Sequence, residues 1–208
     1  MPTPTLDLAV AADLIERAGA VVEGGLKELL ARGGVEDNEA LAYDLAHAAS
    51  ALATARSVLE YGAKGELESN TVAAFLALAL SDVASRVMGR EAMWGVDAQW
   101  FTPFSPFVAR YREPAFLATL AESPGPRHLG EDFEMVADLF HRFAEEQVRP
   151  HAEHVHRTNG DIPESIIEGL SGLGGFGLSI PEKFGGFSTG GESEYVGMVV
   201  ATEELSWG

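Results

Sequence analysis

The chain has 208 residues, enough for one large or two small domains, and 46% of them are hydrophobic against 22% charged. This balance is typical of a folded globular protein, which argues against a disordered chain or a membrane protein. There are 32 acidic and 14 basic residues, a formal charge of −18, and the few Lys and Arg form no basic cluster, so we expect no nucleic-acid partner.

Cysteine is absent, which excludes disulfides, thiolate metal ligands and a cysteine nucleophile. The first residues, Met1-Pro2-Thr3-Pro4, start no secretory signal, so the sequence predicts a cytoplasmic protein. The longest apolar run, residues 72–80, is less than half of the roughly 20 residues that a spanning helix needs. We therefore expect a buried helix there and no membrane span.

Apolar residues recur at helical spacing in three stretches of the N-terminal half. The first covers residues 6–31, the second follows Asn38 as a candidate N-cap, and the third follows Ser69 or Asn70. The pattern predicts an all-α fold that begins with a bundle of three antiparallel helices.

Residues 100–116 interleave three prolines with six aromatic residues. Proline disfavours a regular helix, and so many aromatics would not be left in water, so we expect an extended arm that wraps a surface. The domain boundary is better placed at the Ser123-Pro124-Gly125-Pro126 stretch than in this arm. It separates an extra N-terminal bundle at 1–122, which includes the arm, from a second helical domain at 129–208.

The second domain begins with an apolar helical stripe that Pro150 should kink. A turn follows at Arg157-Thr158-Asn159-Gly160, and Pro163 suits the start of the next helix. A final apolar helix reaches Trp207 without a breaker, so we expect this domain to be incomplete at the C-terminus, with a continuation or a partner chain missing.

The motifs of this second domain come in an ordered series. Its members are Phe143-Ala144-Glu145-Glu146-Gln147-Val148-Arg149-Pro150, Leu173-Gly174-Gly175-Phe176-Gly177, Ile180-Pro181-Glu182-Lys183-Phe184-Gly185-Gly186 and Glu203-Glu204-Leu205-Ser206-Trp207-Gly208. Over residues 131–208 this series resembles the N-terminal all-helical domain of the acyl-CoA dehydrogenases.

The resemblance implies an oxidoreductase of fatty acid metabolism that desaturates acyl-CoA thioesters between the α and β carbons, with FAD as cofactor. In that family a Glu removes the α proton and the β hydride goes to flavin N5. A β-barrel domain and a C-terminal helical domain follow, so the base and most of the FAD site are expected beyond residue 208. The chain alone is then inactive. The implied partners are the missing C-terminal portion or a companion chain, an electron-transfer flavoprotein, and further subunits of a homo- or hetero-oligomer.

The resemblance places Trp207 and Gly208 at the border of the substrate pocket, although packing of Trp207 in a core is an equal alternative. Glu203 and Glu204 are near a helix end, where carboxylates are usually solvated or salt-bridged, and the family's base belongs to the later domain. No catalytic residue is therefore assigned within the chain.

Two other patterns are read as structural. The glycines of Gly172-x-Gly174-Gly175-x-Gly177 follow a helix and not a strand, so they indicate helix termination and not a dinucleotide site. Residues 181–186 predict a rigid turn.

Four histidines fall within sixteen residues: His141, His151, His154 and His156. They lack a complete ligand set, so we expect no metal.

The N-terminal unit has two open interpretations. Two of its segments resemble helical hairpins of the family's C-terminal domain, namely Leu45-Ala46-His47-Ala48-Ala49 and Arg86-Val87-Met88-Gly89-Arg90-Glu91. A generic three-helix bundle explains them equally well.

Two alternative functions also stay open for the chain: a noncatalytic helical interaction subunit of a two-chain flavoenzyme, and a flavin oxidase on the same scaffold.

Overall fold

The computed structural model describes residues 6–122 and 125–208. They belong to two compact units, Met1–Pro126 and Arg127–Gly208, called unit 1 and unit 2 below. Within the described residues the secondary structure is helical apart from one isolated bridge between Pro181 and Ser188, so the all-α prediction is confirmed. Of the predicted boundary, Ser123 and Pro124 lie outside the described residues, and the domain limits 1–122 and 129–208 stay a prediction.

Unit 1 is built from six α-helices and a short 3₁₀ turn among the residues described. They are α1 (Leu8–Ala31), α2 (Glu39–Ser57), α3 (Leu59–Gly62), α4 (Glu66–Val87), the turn at Glu91–Met93, α5 (Ser105–Tyr111) and α6 (Pro114–Ala121). The three long predicted helices are present as α1, α2 and α4. By length and composition α4 could span a membrane, but 61% of its most apolar stretch is buried inside the protein, as in the core helix of a globular unit.

The start of α2 falls where the sequence predicts, but the predicted cap does not form. Asn38 precedes α2, yet its Nδ2 donates to the carbonyls of Arg32 (2.9 Å) and Gly34 (3.1 Å). The Asn38 side chain therefore closes the turn between α1 and α2. Gly33 and Gly34 make this turn with φ of 101° and 86°, a region that glycine enters without strain.

The predicted start of α4 at Ser69 or Asn70 is wrong. The helix begins at Glu66, and both Ser69 and Asn70 are buried inside it. Glu66 and Glu68 explain the earlier start, because carboxylates in the first turn interact favourably with the positive end of the helix dipole.

Two apolar clusters form the core of unit 1. One joins Leu14 and Ile15 of α1 to Leu76 and Leu80 of α4. The other surrounds Trp94, which is fully buried and packs with the side chains of Leu41, Leu45, Val83 and Val87. A Cβ added at Gly25 would lie 3.0 Å from the Trp94 ring, so the missing side chain lets α1 approach the indole.

The prediction of an extended arm at 100–116 is wrong, because most of its second half is helical. Pro106 lies in the first turn of α5 and Pro114 begins α6, positions where the missing N–H of proline costs no hydrogen bond. The expectation that the aromatics are covered holds for Phe104, Phe107 and Tyr111. These side chains are buried in the first apolar cluster of unit 1.

Unit 2 contains four α-helices, a π-helical turn and two 3₁₀ turns. They are α7 (Glu131–Phe143), the π turn Ala144–Val148, α8 (Arg149–Thr158), α9 (Glu164–Gly172), the 3₁₀ turns Gly175–Gly177 and Glu182–Phe184, and α10 (Glu192–Trp207). Helices α7 and α10 pack side by side, with Phe140 and Val200 buried.

The irregularity predicted at Pro150 is the π turn that ends just before α8. Proline lacks the N–H of a regular helix and its ring crowds the carbonyl four residues earlier, so a widened turn relieves both problems. The predicted turn after α8 is also present, because Asn159 adopts a left-handed conformation with φ of 50° and ends the helix.

Candidate functional site

Trp207 lies in the last turn of α10, and its side chain is held by residues from the π turn and α8. Its indole Nε1 donates to Glu145 Oε1 over 2.5 Å, and Arg149 Nη1 donates to the same oxygen over 2.5 Å. The Arg149 guanidinium carbon lies 5.6 Å from the Trp207 ring centroid, within cation–π range. Trp207 is 61% exposed, so the alternative of core packing does not describe this side chain.

Gly208 lies against the π turn. A Cβ added at Gly208 would be 2.8 Å from the carbonyl oxygen of Ala144. The two residues predicted at the pocket border are therefore both placed beside Ala144–Val148, and their role at a substrate pocket stays a prediction.

The two carboxylates that precede Trp207 differ in environment. Glu204 is 9% exposed and accepts hydrogen bonds from Arg127 Nη1 over 2.6 Å and His141 Nδ1 over 2.8 Å. Glu203 is exposed and accepts from Arg127 Nη2 over 3.0 Å. Both are salt-bridged, as expected, but the burial of Glu204 was not foreseen.

Opposing effects set the pKa of Glu204. Burial disfavours its charged form, but the hydrogen bonds from Arg127 and His141, together with their charges, outweigh burial and hold the pKa below its ordinary value. In turn, the hydrogen bond to Glu204 raises the pKa of Arg127. For Glu145, the hydrogen bond from Trp207 is the main cause of a lowered pKa.

A cavity of about 340 Å³ adjoins these groups in unit 2. Its lining residues are Arg127, Glu134, Ala137, Asp138, His141, Glu203, Glu204 and Trp207. Four carboxylates face one guanidinium and one imidazole, so the lining carries an excess of negative charge. Such a cavity repels phosphates and free carboxylates and leaves the Trp207 indole as its main apolar surface.

The comparisons with known proteins concern this same unit. The family model described as the acyl-CoA dehydrogenase N-terminal domain matches residues 130–208. Residues 130–208 therefore belong to the acyl-CoA dehydrogenase family. The recognition made from the motifs is confirmed for this segment, and all of unit 1 lies outside it.

Two curated relatives of this acyl-CoA dehydrogenase segment are similar over comparable lengths. The (2S)-methylsuccinyl-CoA dehydrogenase of Cereibacter sphaeroides is 49% identical over 84 residues, which are 40% of this chain and 15% of that protein. The probable acyl-CoA dehydrogenase YngJ of Bacillus subtilis (strain 168) is 34% identical over 77 residues, 37% of this chain and 19% of that protein. The match thus spans less than a fifth of either relative.

Three glycines of the 172–177 pattern are explained by close packing. A Cβ added at Gly174 or Gly177 would lie 2.7 Å from the Phe187 ring, and one at Gly175 would overlap Leu170. Gly174 also has a φ of 76°. These contacts support the structural reading of the pattern at 172–177.

The histidines are dispersed over unit 2. His141 pairs with Glu204, whereas His151, His154 and His156 are exposed on α8. Across residues 6–122 and 125–208, no group of three or more His, Cys, Asp or Glu side chains is arranged to hold a metal ion.

Sequence reasoning missed the roles of Arg127, His141 and Glu145. The pair Glu145–Arg149 has the i, i+4 spacing of a helical ion pair and could have been found. The contacts of Arg127 and His141 with Glu204 join residues 77 and 63 positions apart, and no local pattern signals them.

Proposed function

We propose that this chain supplies the N-terminal helical domain of an FAD-dependent acyl-CoA dehydrogenase that desaturates acyl-CoA thioesters. The match of residues 130–208 to that domain carries the proposal. The ordered packing of α7 against α10 supports it, because the segment keeps a buried helical core and can serve as a scaffold.

We propose (2S)-methylsuccinyl-CoA as the first substrate to test, because the relative with 49% identity is named for it. The excess of carboxylates around the cavity beside Trp207 limits which parts of such a substrate could lie there. CoA phosphates and a free carboxylate would be repelled there, so their cationic partners are expected outside this cavity.

Trp207 and Gly208 are proposed to border the acyl cavity. The support is the geometry of Trp207, whose indole is oriented by Glu145 and Arg149 while 61% of the residue stays exposed. An indole fixed in this way offers a rigid apolar surface to an acyl chain.

FAD does not fit the glycine-rich turn of unit 2. The faces that Gly174 and Gly177 leave free are filled by the ring of Phe187, so the backbone offers no cradle to a pyrophosphate. Glu204 is likewise a poor general base, because the hydrogen bonds from Arg127 and His141 hold its pKa below the ordinary value. We place the flavin and the base of the proposed reaction outside residues 127–208.

The test uses the natural polypeptide that carries this sequence, purified with any companion chain. Anaerobic addition of (2S)-methylsuccinyl-CoA or another saturated acyl-CoA should bleach the flavin absorbance, while hydroxyacyl-CoA and aldehydes should leave it unchanged. Bleaching by those compounds and not by any saturated acyl-CoA would disprove the proposed reaction. Oxygen consumption without an added acceptor would identify an oxidase instead.

The 208-residue chain alone provides a second test. It should be colourless after purification with FAD and should not reduce a dye in the presence of acyl-CoA. A yellow chain that reduces the dye would show that the flavin site lies within these residues, contrary to the proposal.

A third test addresses Trp207 in the natural enzyme. Trp207→Ala should change KM for the acyl-CoA, whereas Arg157→Met on the exposed face of α8 should not. Equal kinetic constants for both variants and the unmodified enzyme would exclude Trp207 from the pocket border.

A further inference from the structure

Unit 1 contains an apolar pocket that lies outside the segment matched to the family. Its volume is about 370 Å³, which falls in the lower part of the roughly 300–1,000 Å³ range of small-molecule sites. The pocket lies between the start of α1 and the segment that forms α5. Its apolar lining includes Leu6, Val10, Leu14, Pro103, Pro106 and Phe107.

A buried tyrosine adds a polar group to this lining. The side chain of Tyr111 is 5% exposed, and its ring packs against Phe107 and Phe116 with centroid distances of 4.6 and 5.3 Å. Within the described residues its hydroxyl has no hydrogen-bond partner. A phenolic hydroxyl can donate a hydrogen bond, so an unpaired hydroxyl in this position suits a ligand that accepts one.

A guanidinium adjoins the same tyrosine. Arg110 lines the pocket, and its guanidinium carbon lies 5.1 Å from the Tyr111 ring centroid. No carboxylate pairs with Arg110 among the residues described. The carboxylate of Asp7, the other charged group of the lining, already accepts hydrogen bonds from the backbone N–H groups of Ala9 (2.9 Å) and Val10 (3.4 Å) at the start of α1.

We propose that this pocket binds a medium-chain aliphatic carboxylate. The aliphatic tail lies against Leu14 and Phe107, while the carboxylate accepts hydrogen bonds from the Arg110 guanidinium and the Tyr111 hydroxyl. A charged acceptor suits both donors, and an apolar tail suits the remainder of the lining. All residues that line the site belong to unit 1, and the site does not depend on the function proposed above.

Titration calorimetry on the 208-residue chain tests the site with three probes of the same chain length. Octanoate should bind with one-to-one stoichiometry. Octanol lacks the charge and should bind at least about tenfold more weakly, because a charge-assisted hydrogen bond is lost. Octanoyl-CoA has the same acyl chain, but its carbonyl belongs to a neutral thioester. It shows whether the ligand is a free carboxylic acid or an acyl group on a carrier. We expect that octanoyl-CoA does not compete with octanoate.

Variants locate the site. Arg110→Gln should weaken octanoate binding about tenfold, and Tyr111→Phe should also weaken it, because each variant removes one donor to the carboxylate. Arg112→Gln is the matched control, because it removes the same charge from an exposed position of the same segment and should bind octanoate as the parent does. Val10→Phe should fill the pocket and reduce the binding of both probes. Circular dichroism verifies that each variant is folded.

The proposal fails if octanoate does not bind at millimolar concentration or if octanol binds equally well. It also fails if Arg110→Gln behaves like Arg112→Gln. Unchanged octanoate binding by folded Val10→Phe would place the ligand elsewhere and overturn the assignment as well.

Discussion

Arg127 and Glu204 lie 77 positions apart in the sequence, yet Arg127 Nη1 donates to Glu204 Oε1 over 2.6 Å. Glu204 is nearly buried on α10, and His141 of α7 donates to its other oxygen. This pair of contacts ties α10 both to α7 and to the segment that precedes α7. We therefore expect the ion pair to contribute to the stability of unit 2.

Arg127→Met should lower the free energy of unfolding of unit 2 by about 1–2 kcal/mol. Loss of a hydrogen bond to a buried carboxylate costs about 1.5–3 kcal/mol, and the partial exposure of Arg127 reduces that value. Urea denaturation, with amide hydrogen exchange of α10 as the local probe, measures the change.

The matched control for Arg127 is Arg157→Met. Arg157 pairs with Glu153, and both side chains are about three-quarters exposed, so this variant should differ from the parent by less than about 0.5 kcal/mol. Equal losses in the two variants would contradict a special role for the Arg127–Glu204 pair.

Glu194 provides the clearest expected dependence of stability on pH. Its carboxylate accepts hydrogen bonds from the Thr189 hydroxyl, the Ser188 hydroxyl (2.7 Å) and the Thr189 backbone N–H (2.8 Å), which lower its pKa from 4.5 to about 2. Because the pKa is lower in the folded than in the unfolded chain, the stabilisation is fully present above pH 4.5. It is lost as the pH falls from there through about 2.

Glu194→Gln should therefore be less stable than the parent at pH 7, and the difference should shrink as the pH approaches 2. Urea midpoints measured at several pH values give the comparison. Glu168→Gln, on the exposed surface of α9, is the control and should follow the parent. A constant difference between Glu194→Gln and the parent across pH 2–7 would show that the carboxylate's ionisation is not the cause.

How much of the fold could be predicted from the sequence depends on whether the signal was local. The recurrence of apolar residues at helical spacing located α1, α2, α4, α7 and α10. The start of α4 was misplaced, since Ser69 and Asn70 are common N-caps and the first-turn carboxylates were not weighed against them. The prediction of an extended arm failed because proline disrupts the interior of a helix but is favoured in its first turn. Composition alone does not show which of these two positions a proline occupies.

The candidate site was predictable only in part for a related reason. The motif order gave Trp207 and the carboxylates beside it, but their partners come from α7, the π turn and the segment before α7. A pair such as His141–Glu204 exists only once α7 and α10 have packed, so tertiary structure is needed to find it.

The turn at residues 181–186 should tolerate substitution unequally at its two glycines. Gly185 has a φ of 86° and open space around it, so Gly185→Val should cost about 1–2 kcal/mol from the left-handed conformation alone. A Cβ at Gly186 would overlap the backbone carbonyl of Ile180, so Gly186→Val should be more damaging than Gly185→Val.

Thermal unfolding of the chain compares the two turn variants, with Gly172→Ala as the control. A Cβ at Gly172 meets no neighbour within 4 Å at the end of α9, so that variant should unfold like the parent or slightly later. Normal melting of Gly186→Val, with altered substrate affinity in the natural enzyme, would indicate a binding role for the turn in place of an architectural one.

Phe104 should be a main stabilising residue of unit 1. It is 2% exposed and lies within 5.9 Å of both Trp100 and Phe101, measured between ring centroids, so Phe104→Ala removes a buried ring and leaves a cavity. Such a change costs about 3–5 kcal/mol. Tyr43→Ala is the control in the same unit, because Tyr43 is 64% exposed and its loss should change stability by less than about 1 kcal/mol. Urea denaturation followed by tryptophan fluorescence separates the two, and similar midpoints would mean that the aromatic segment does not contribute to the core of unit 1.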